Sequence, residues 1–403
     1  MLSNYNKKLI KMLIRDPLKL PSMLRLRLMR TDEHNSKDYS EGKVKVQPPV
    51  VVAIRMNYAC NLRCVMCNQW GENGAFIKQP NKMPKRDLTL EDMKMFLDDI
   101  SSFHPYIYFT GGEPLMNKDI IDVVKCANSK HMVTSMSTNS TFLKEKAEDL
   151  IRAGLDYLYT SLDAPIPVDD EIIRVDAKGE DSNAKAVDAI RYFIELRNKI
   201  GLGLPLIQTQ TIIVKENQYQ LLEMANFMEN VLKPDVWGLQ LCVYTTEELN
   251  EATTKVYRKV FNQDQIQWGG FIREFPGMDF EAINEQLDII KKTKWKNFKL
   301  RLYKPLTEKG FDLKQYFTDP KKHAIDRDHT CMNPWVFAQL QPNGELAFCG
   351  SQPDYTIGNV KEFKFMDLWC NERATKWRDF IQTKLFPSCK RCFALYQYAH
   401  FKK

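Results

Sequence analysis

The chain lacks a membrane-spanning run. No apolar stretch reaches the ~18 residues a bilayer helix needs. Lys and Arg interrupt every Leu and Ile of residues 1–30, and no signal-peptide core or cleavage site follows, so a cytoplasmic protein is expected. Cysteine is scarce: ten in 403 residues are too few for a disulfide scaffold. Charge of one sign is missing from the body. Residues 1–30 hold eight basic residues against Asp16 alone, and the remaining 373 hold 50 basic and 50 acidic residues. A neutral body with no basic stripe speaks against a nucleic-acid partner. With 44% hydrophobic and 27% charged residues, the composition excludes a disordered, collagenous or coiled-coil chain.

What is present begins with a basic, amphipathic arm and linker at 1–49. Leu9, Ile10, Leu13 and Ile14 recur at helical spacing between Lys7, Lys8, Lys11 and Arg15, and Pro17 and Pro21 break the helix. One reading packs this arm on the body. The other anchors it to anionic lipid, which would make the protein membrane-associated, or to another anionic partner. From residue 50 apolar runs at 50–57, 106–110, 132–138, 157–162, 206–214 and 236–244 alternate with helix-like segments near 89–101, 118–129, 143–153, 183–199 and 217–231. Alternation of this kind predicts an α/β fold with a parallel sheet, here six strand–helix steps over 50–245. Residues 246–330 read as a helical bridge or insertion. From 331 to 403 a hairpin around Gln341-Pro342-Asn343-Gly344, a helix at 366–381 and a Cys-x2-Cys pair mark a small cysteine-bearing domain.

Two cysteine groups carry the chemistry. Cys60, Cys64 and Cys67 form a Cys-x3-Cys-x2-Cys loop directly after the first expected strand. Three soft thiolates suit a [4Fe–4S] cluster with one iron left open. Zinc would need a fourth ligand, and no further Cys or His lies between Tyr58 and His104. Cys331, Cys349, Cys389 and Cys392 can close a complete thiolate site, for zinc or a second [4Fe–4S] cluster. Cys126, Cys242 and Cys370 read as core or surface residues.

The first loop resembles that of radical S-adenosylmethionine (SAM) enzymes. Thr110-Gly111-Gly112-Glu113-Pro114 is similar to that family's GGEP motif. The resemblance implies a partial (β/α)6 TIM-type barrel in which Cys60, Cys64 and Cys67 hold the SAM-cleaving cluster. Gly111, Gly112, Glu113 and Pro114 would cradle the methionine end of SAM. Ser137 and Asn139 after the third strand, Ser161 and Asp163 after the fourth, and Met66 near the adenine are further implied contacts. Ser140 departs from the family's glycine, so the path of that loop is open. The C-terminal spacing, with Gly344 five residues before Cys349 and Asp367-Leu368-Trp369…Arg378 beyond it, resembles a SPASM/twitch extension. Absence of cysteine after Cys392 points to one auxiliary [4Fe–4S] cluster.

Function follows as an implication of the resemblance. It implies reductive cleavage of SAM, fed by a flavodoxin- or ferredoxin-like electron donor, and hydrogen abstraction from a substrate. One auxiliary cluster looks like the layout of the family's aminocyclitol dehydrogenases. That favours oxidation of a small or lipid-linked, sugar- or cyclitol-like molecule. The 49 residues before the first strand are short for a leader-binding module. A SPASM-type maturase of a peptide or protein is the alternative, and a non-catalytic metal-binding scaffold is the third reading.

Overall fold

The computed structural model describes residues 4–31, 46–85, 87–165, 173–178, 182–201, 203–325 and 331–396. The linker expected before residue 49 lies largely outside them. All six expected strands form: β1 (Val51–Arg55), β2 (Tyr106–Thr110), β3 (Thr134–Thr138), β4 (Tyr157–Ser161), β5 (Leu206–Ile213) and β6 (Val236–Leu241). Each pairs parallel with the next. A seventh, β7 (Lys299–Leu302), adds parallel to β6 from within the stretch that reads as helical bridge. The hairpin strands β8 (Phe337–Leu340) and β9 (Glu345–Ala347) are antiparallel, and β10 (Thr356–Asn359) follows. β8 also pairs parallel with β1, so the ten strands form one sheet in the order β10-β9-β8-β1-β2-β3-β4-β5-β6-β7.

Register sorts the residues onto two faces. Val52, Ile54, Ile107, Phe109, Met136, Leu158, Ile207 and Leu239 are fully buried in the main core with Leu97, Val123, Leu150, Ile190 and Ala225 of the crossover helices. The opposite face is polar and half-buried: Tyr108, Ser137, Tyr159, Ser161, Gln208, Gln210 and Gln240. There Tyr108 and Ser137 share a hydrogen bond of 2.6 Å, and Arg301 donates to Gln208. This alternation is what an incompletely closed barrel needs, with apolar side chains under the helices and polar ones in the lumen. The first crossover helix, Leu90–Ile100, starts on a capping box between Thr89 and Asp92. The helix Ala147–Ala153 stops at Gly154, whose φ of +85° suits the left-handed cap. The helix expected at 366–381 is two, Phe365–Trp369 and Glu372–Thr383, because Asn371 caps the second.

The arm forms α1 (Asn4–Arg15) and α2 (Leu20–Thr31), joined by a short 3₁₀ turn at Pro17–Lys19. Pro17 opens that turn and Pro21 lies in the first turn of α2, so the prolines redirect the helix and leave the arm helical. The arm packs across the amino ends of the strands. Met12 is buried against Leu204 and Leu206. Lys19, with no exposed side-chain area, bonds Asp156 and Asn128 at 2.7 Å. Arg15 also reaches Asp156 (3.1 Å), Lys8 pairs with Asp235, and Arg25 donates to the Phe103 and Pro48 carbonyls at 2.7 Å. Packing is therefore the observed state of the arm. Among the described residues no helix is long and apolar enough to cross a membrane.

Candidate active site

The cysteine loop leaves the carboxyl end of β1, where a barrel places its reactive groups. Two strips of backbone hold it. On one side the Gly112 amide donates to the Asn57 carbonyl (3.0 Å) and the Glu113 amide to Ala59 (2.7 Å). On the other, Arg63 and Val65 amides donate to Val175 (2.7 Å) and Ile173 (2.9 Å), and the Ala177 amide to Asn61 (2.8 Å). Trp70 Nε1 clips the loop to the Tyr58 carbonyl at 2.7 Å. Gly112 is glycine for close approach, since a Cβ there would stand 2.1 Å from the Ala59 oxygen.

Glu113 is almost fully buried, and its carboxylate is already engaged. It accepts from Thr138 Oγ1 (2.8 Å), the Asn139 amide (2.7 Å) and the Leu115 amide (3.0 Å), tying the end of β2 to the end of β3. Burial pushes its carboxyl up to about 7, against the pull of those three donors. Pro114, which is buried, then opens a short 3₁₀ turn. Asn139 continues the chain of contacts, donating to Asn61 Oδ1 (2.9 Å) and facing Cys60 Sγ at 3.9 Å. Ser140 keeps the turn a glycine would take, at φ +70°, with a strain of about 1 kcal/mol.

Asp163 is buried and ion-paired with Arg174 at 2.6 Å. Arg174 in turn approaches Cys64 Sγ at 3.7 Å, so this strand-end acid steers a cation onto the cluster loop. Asp163 also accepts from the Ile212 amide at 2.7 Å. Ser137 and Ser161 line the lumen face, and Met66 is buried in the main core. Asn57 and Arg174 are site residues that the sequence reading passed over. Asn57 donates to the Glu113 carbonyl at 3.0 Å while its Oδ1, buried beside Gly111, has no donor. That oxygen, with the cradle at Gly111 and Gly112, suits an ammonium group.

The second cysteine set converges from three places. Cys331, Cys349, Cys389 and Cys392 line one small cavity, of about 20 Å³, with Gln352, Trp268 and Trp377. Gln352 Nε2 donates to Cys389 Sγ (3.6 Å), and Ser351 Oγ lies 3.8 Å from Cys392 Sγ. Burial raises the Cys60 thiol to about 11 and the Cys331 thiol to about 12, and pushes Cys64, Cys349, Cys389 and Cys392 upward as well. Thiolates in such surroundings need a positive metal centre to hold them. Among the described residues no three His, Cys, Asp or Glu side chains stand close enough to chelate a single ion. Soft thiolate donors of this kind suit an iron–sulfur cube. Cys126 and Cys370 lie apart on the surface side, and Cys242 is buried beside Arg273 (3.6 Å).

A cleft of about 470 Å³ opens beside Tyr58, Lys82, Gln267, Gln341, Glu345 and Asp354. Burial pushes the Asp354 carboxyl up to about 6, against backbone donors from Gln267 and Ile266.

Comparison with known proteins agrees with this geometry. Residues 54–218 match the Radical SAM superfamily, and residues 331–393 match an iron–sulfur cluster-binding domain, SPASM. A tungsten-containing aldehyde ferredoxin oxidoreductase cofactor-modifying protein of Pyrococcus furiosus is 26% identical over 339 residues, 83% of this chain and 84% of that one. An Fe-coproporphyrin III synthase of Methanosarcina barkeri is 38% identical over 121 residues, 30% of this chain and 28% of that one. In fold, the chain is similar to SuiB of Streptococcus suis bound to S-adenosylmethionine, with TM-score 0.58, 15% identity, and 85% of this chain and 71% of that one covered. It is also similar to anSMEcpe bound to AdoMet and a Cp18Cys peptide, with TM-score 0.51, 15% identity, and 87% and 88% covered. SAM, a SAM-binding [4Fe–4S] cluster and an auxiliary iron–sulfur cluster are the cofactors that the two matched domains bring. The chain belongs to the radical SAM superfamily and carries a C-terminal SPASM iron–sulfur domain.

Proposed function

We propose that this protein is a radical SAM maturase that modifies a peptide or a protein. The observation that carries the reading is the similarity to the cofactor-modifying protein of Pyrococcus furiosus, which covers 83% of this chain and 84% of that one. The likeness in fold to SuiB, also solved with its precursor peptide SuiA, points the same way. The cleft beside Tyr58 and Gln341, of about 470 Å³, has room for side chains of a bound segment. This reading replaces the small, cyclitol-like substrate, for which no observation speaks.

In it, Cys60, Cys64 and Cys67 hold the SAM-binding cluster. Gly111, Gly112 and Pro114 shape the backbone cradle, and Asn57 accepts from the ammonium group. Glu113 positions Asn139 and the cradle through its three hydrogen bonds. Asp163 orients Arg174 against Cys64. Cys331, Cys349, Cys389 and Cys392 hold the auxiliary cluster, whose full protein ligation suits passing an electron to or from a flavodoxin- or ferredoxin-like donor. When bound, SAM and its cluster supply one-electron cleavage and a hydrogen-abstracting radical.

The test is 5′-deoxyadenosine formation by the anaerobically reconstituted protein with SAM and a reductant. A host extract, split into macromolecular and small-molecule fractions, is added. Stimulation by the macromolecular fraction that protease treatment abolishes is expected. Stimulation confined to the small-molecule fraction and resistant to protease would overturn the maturase reading.

A further inference from the structure

We propose that the outward face of the N-terminal arm docks the protein on an anionic lipid surface, with the floor of the barrel toward the bilayer and the cluster loops turned away from it.

The inner face of the arm is spent on the fold. Lys8 pairs with Asp235, Arg15 and Lys19 pair with Asp156, and Arg25 donates to the Phe103 and Pro48 carbonyls. Met12 is buried against Leu204 and Leu206. A second set of side chains is left facing outward. In α1, Lys7, Ile10, Lys11 and Ile14 are all exposed, and they stand at the i, i+3, i+4 and i+7 positions of one helix face. Leu18 is exposed on the turn that follows, and Leu20 and Leu24 are exposed one helical turn apart on α2. Ile14 is 75% exposed and Leu18 56%.

Single aliphatic side chains on a surface need no partner, but a concentration of them does. Among the described residues sixteen large apolar side chains are exposed, and five of them fall within residues 10–24. The same short segment carries the charge excess of the chain, with eight basic residues against Asp16 in residues 1–30. Among the described residues no carboxylate pairs with Lys7 or Lys11, so two cations stand beside the two isoleucines on one face. This mixture decides the partner. A polyanion such as a nucleic acid would neutralise the lysines and leave the aliphatic side chains wet. A bilayer interface takes both: Ile10, Ile14 and Leu18 enter the acyl boundary while the lysine ammonium groups reach the anionic headgroups. The place of the arm excludes an electron donor. The cysteine loop leaves the carboxyl end of β1, and a five-residue strand at about 3.3 Å per residue sets it about 17 Å from the floor.

The experiment uses the full-length holoprotein and sedimentation with vesicles of equimolar phosphatidylcholine and phosphatidylserine, against vesicles of phosphatidylcholine alone. Two double variants are compared with wild type, Ile10→Ser with Ile14→Ser and Lys7→Gln with Lys11→Gln. All four side chains are exposed, so both variants should keep the melting temperature and iron content of wild type. Phe363→Ser is the control, an exposed aromatic beyond β10 in the cysteine domain. Wild type and the control are expected to sediment with the phosphatidylserine vesicles and to stay in solution with phosphatidylcholine. Each double variant is expected to bind about tenfold more weakly, and added salt to release the wild type. No sedimentation of wild type, or equal sedimentation with both kinds of vesicle, would overturn the proposal. Binding that falls with the lysine variant and is unaltered in the isoleucine variant would also overturn it, and would assign the face to a polar polyanion or an acidic protein. The readout needs no substrate, so its failure leaves the maturase reading untouched.

Discussion

Replacing Gly112 with alanine tests how the cradle positions the cluster loop. The added Cβ would meet the Ala59 oxygen at 2.1 Å, its carbon at 2.5 Å and the Tyr58 oxygen at 2.5 Å, where ordinary contacts begin at 3.4 Å. All three are backbone atoms, so no side chain can swing aside. The Ala59 carbonyl must withdraw by about 1 Å, which takes it from the Glu113 amide and strains the Gly112–Asn57 bond. Two hydrogen bonds at about 1 kcal/mol each, plus residual strain, give a loss of roughly 2–4 kcal/mol. Ala59 is bonded directly to Cys60, so the displacement passes to the first cluster ligand. A misplacement of about 1 Å in a reacting constellation costs on the order of 100-fold in rate. Reconstituted Gly112→Ala is therefore expected to fall from about eight irons to about four, the auxiliary cluster remaining, with SAM cleavage down about 100-fold or more. Iron assay, visible absorbance and 5′-deoxyadenosine analysis read this directly. Gly269→Ala is the control, because a Cβ there meets nothing nearer than 4.0 Å. A Gly112→Ala protein with full iron and near-normal cleavage would refute the close-approach argument.

Further expectations concern the floor, the strand-end acid and the second cluster. Lys19→Met strands Asp156 in a fully buried site, though Thr134 and Arg15 still bond it. The loss should be about 3 kcal/mol in urea unfolding, and a change under about 1 kcal/mol would count against the arm as part of the barrel. Glu113 has its folded pKa raised from 4.5 to about 7. Its contribution is thus full below 4.5 and lost as pH climbs through 7. Glu113→Gln should flatten the stability profile across that window, and an unaltered slope would show that another group titrates there. Cys389→Ser should remove about four irons while leaving substrate-independent 5′-deoxyadenosine formation in place; loss of both activities together would deny the division of labour.

Local patterns made the strands and the cysteine loop legible. β1 to β6 are short apolar runs, and three ligands within eight residues need no tertiary knowledge. β7 escaped because Lys299 and Arg301 alternate with Leu300 and Leu302, as on a charged sheet edge. The arm's cations split by partners far along the chain: Lys8 meets Asp235, and Lys19 meets Asp156. Neither pairing has a local signal. Arg174 likewise gains meaning from Asp163 and Cys64, which a loop brings to it.

The parallel pairing of β8 with β1 means that the two cysteine-bearing parts are not separable modules. Cutting the chain near residue 330 would strip one side of β1 of its hydrogen-bonding partner and turn that strand into a bare template for other chains. A truncated barrel should therefore self-associate. Grafting the cysteine domain onto another barrel would require a compatible first strand as well as compatible loops. It also makes β1 a common strut, so that a shift in the seating of one cluster loop is felt at the root of the other.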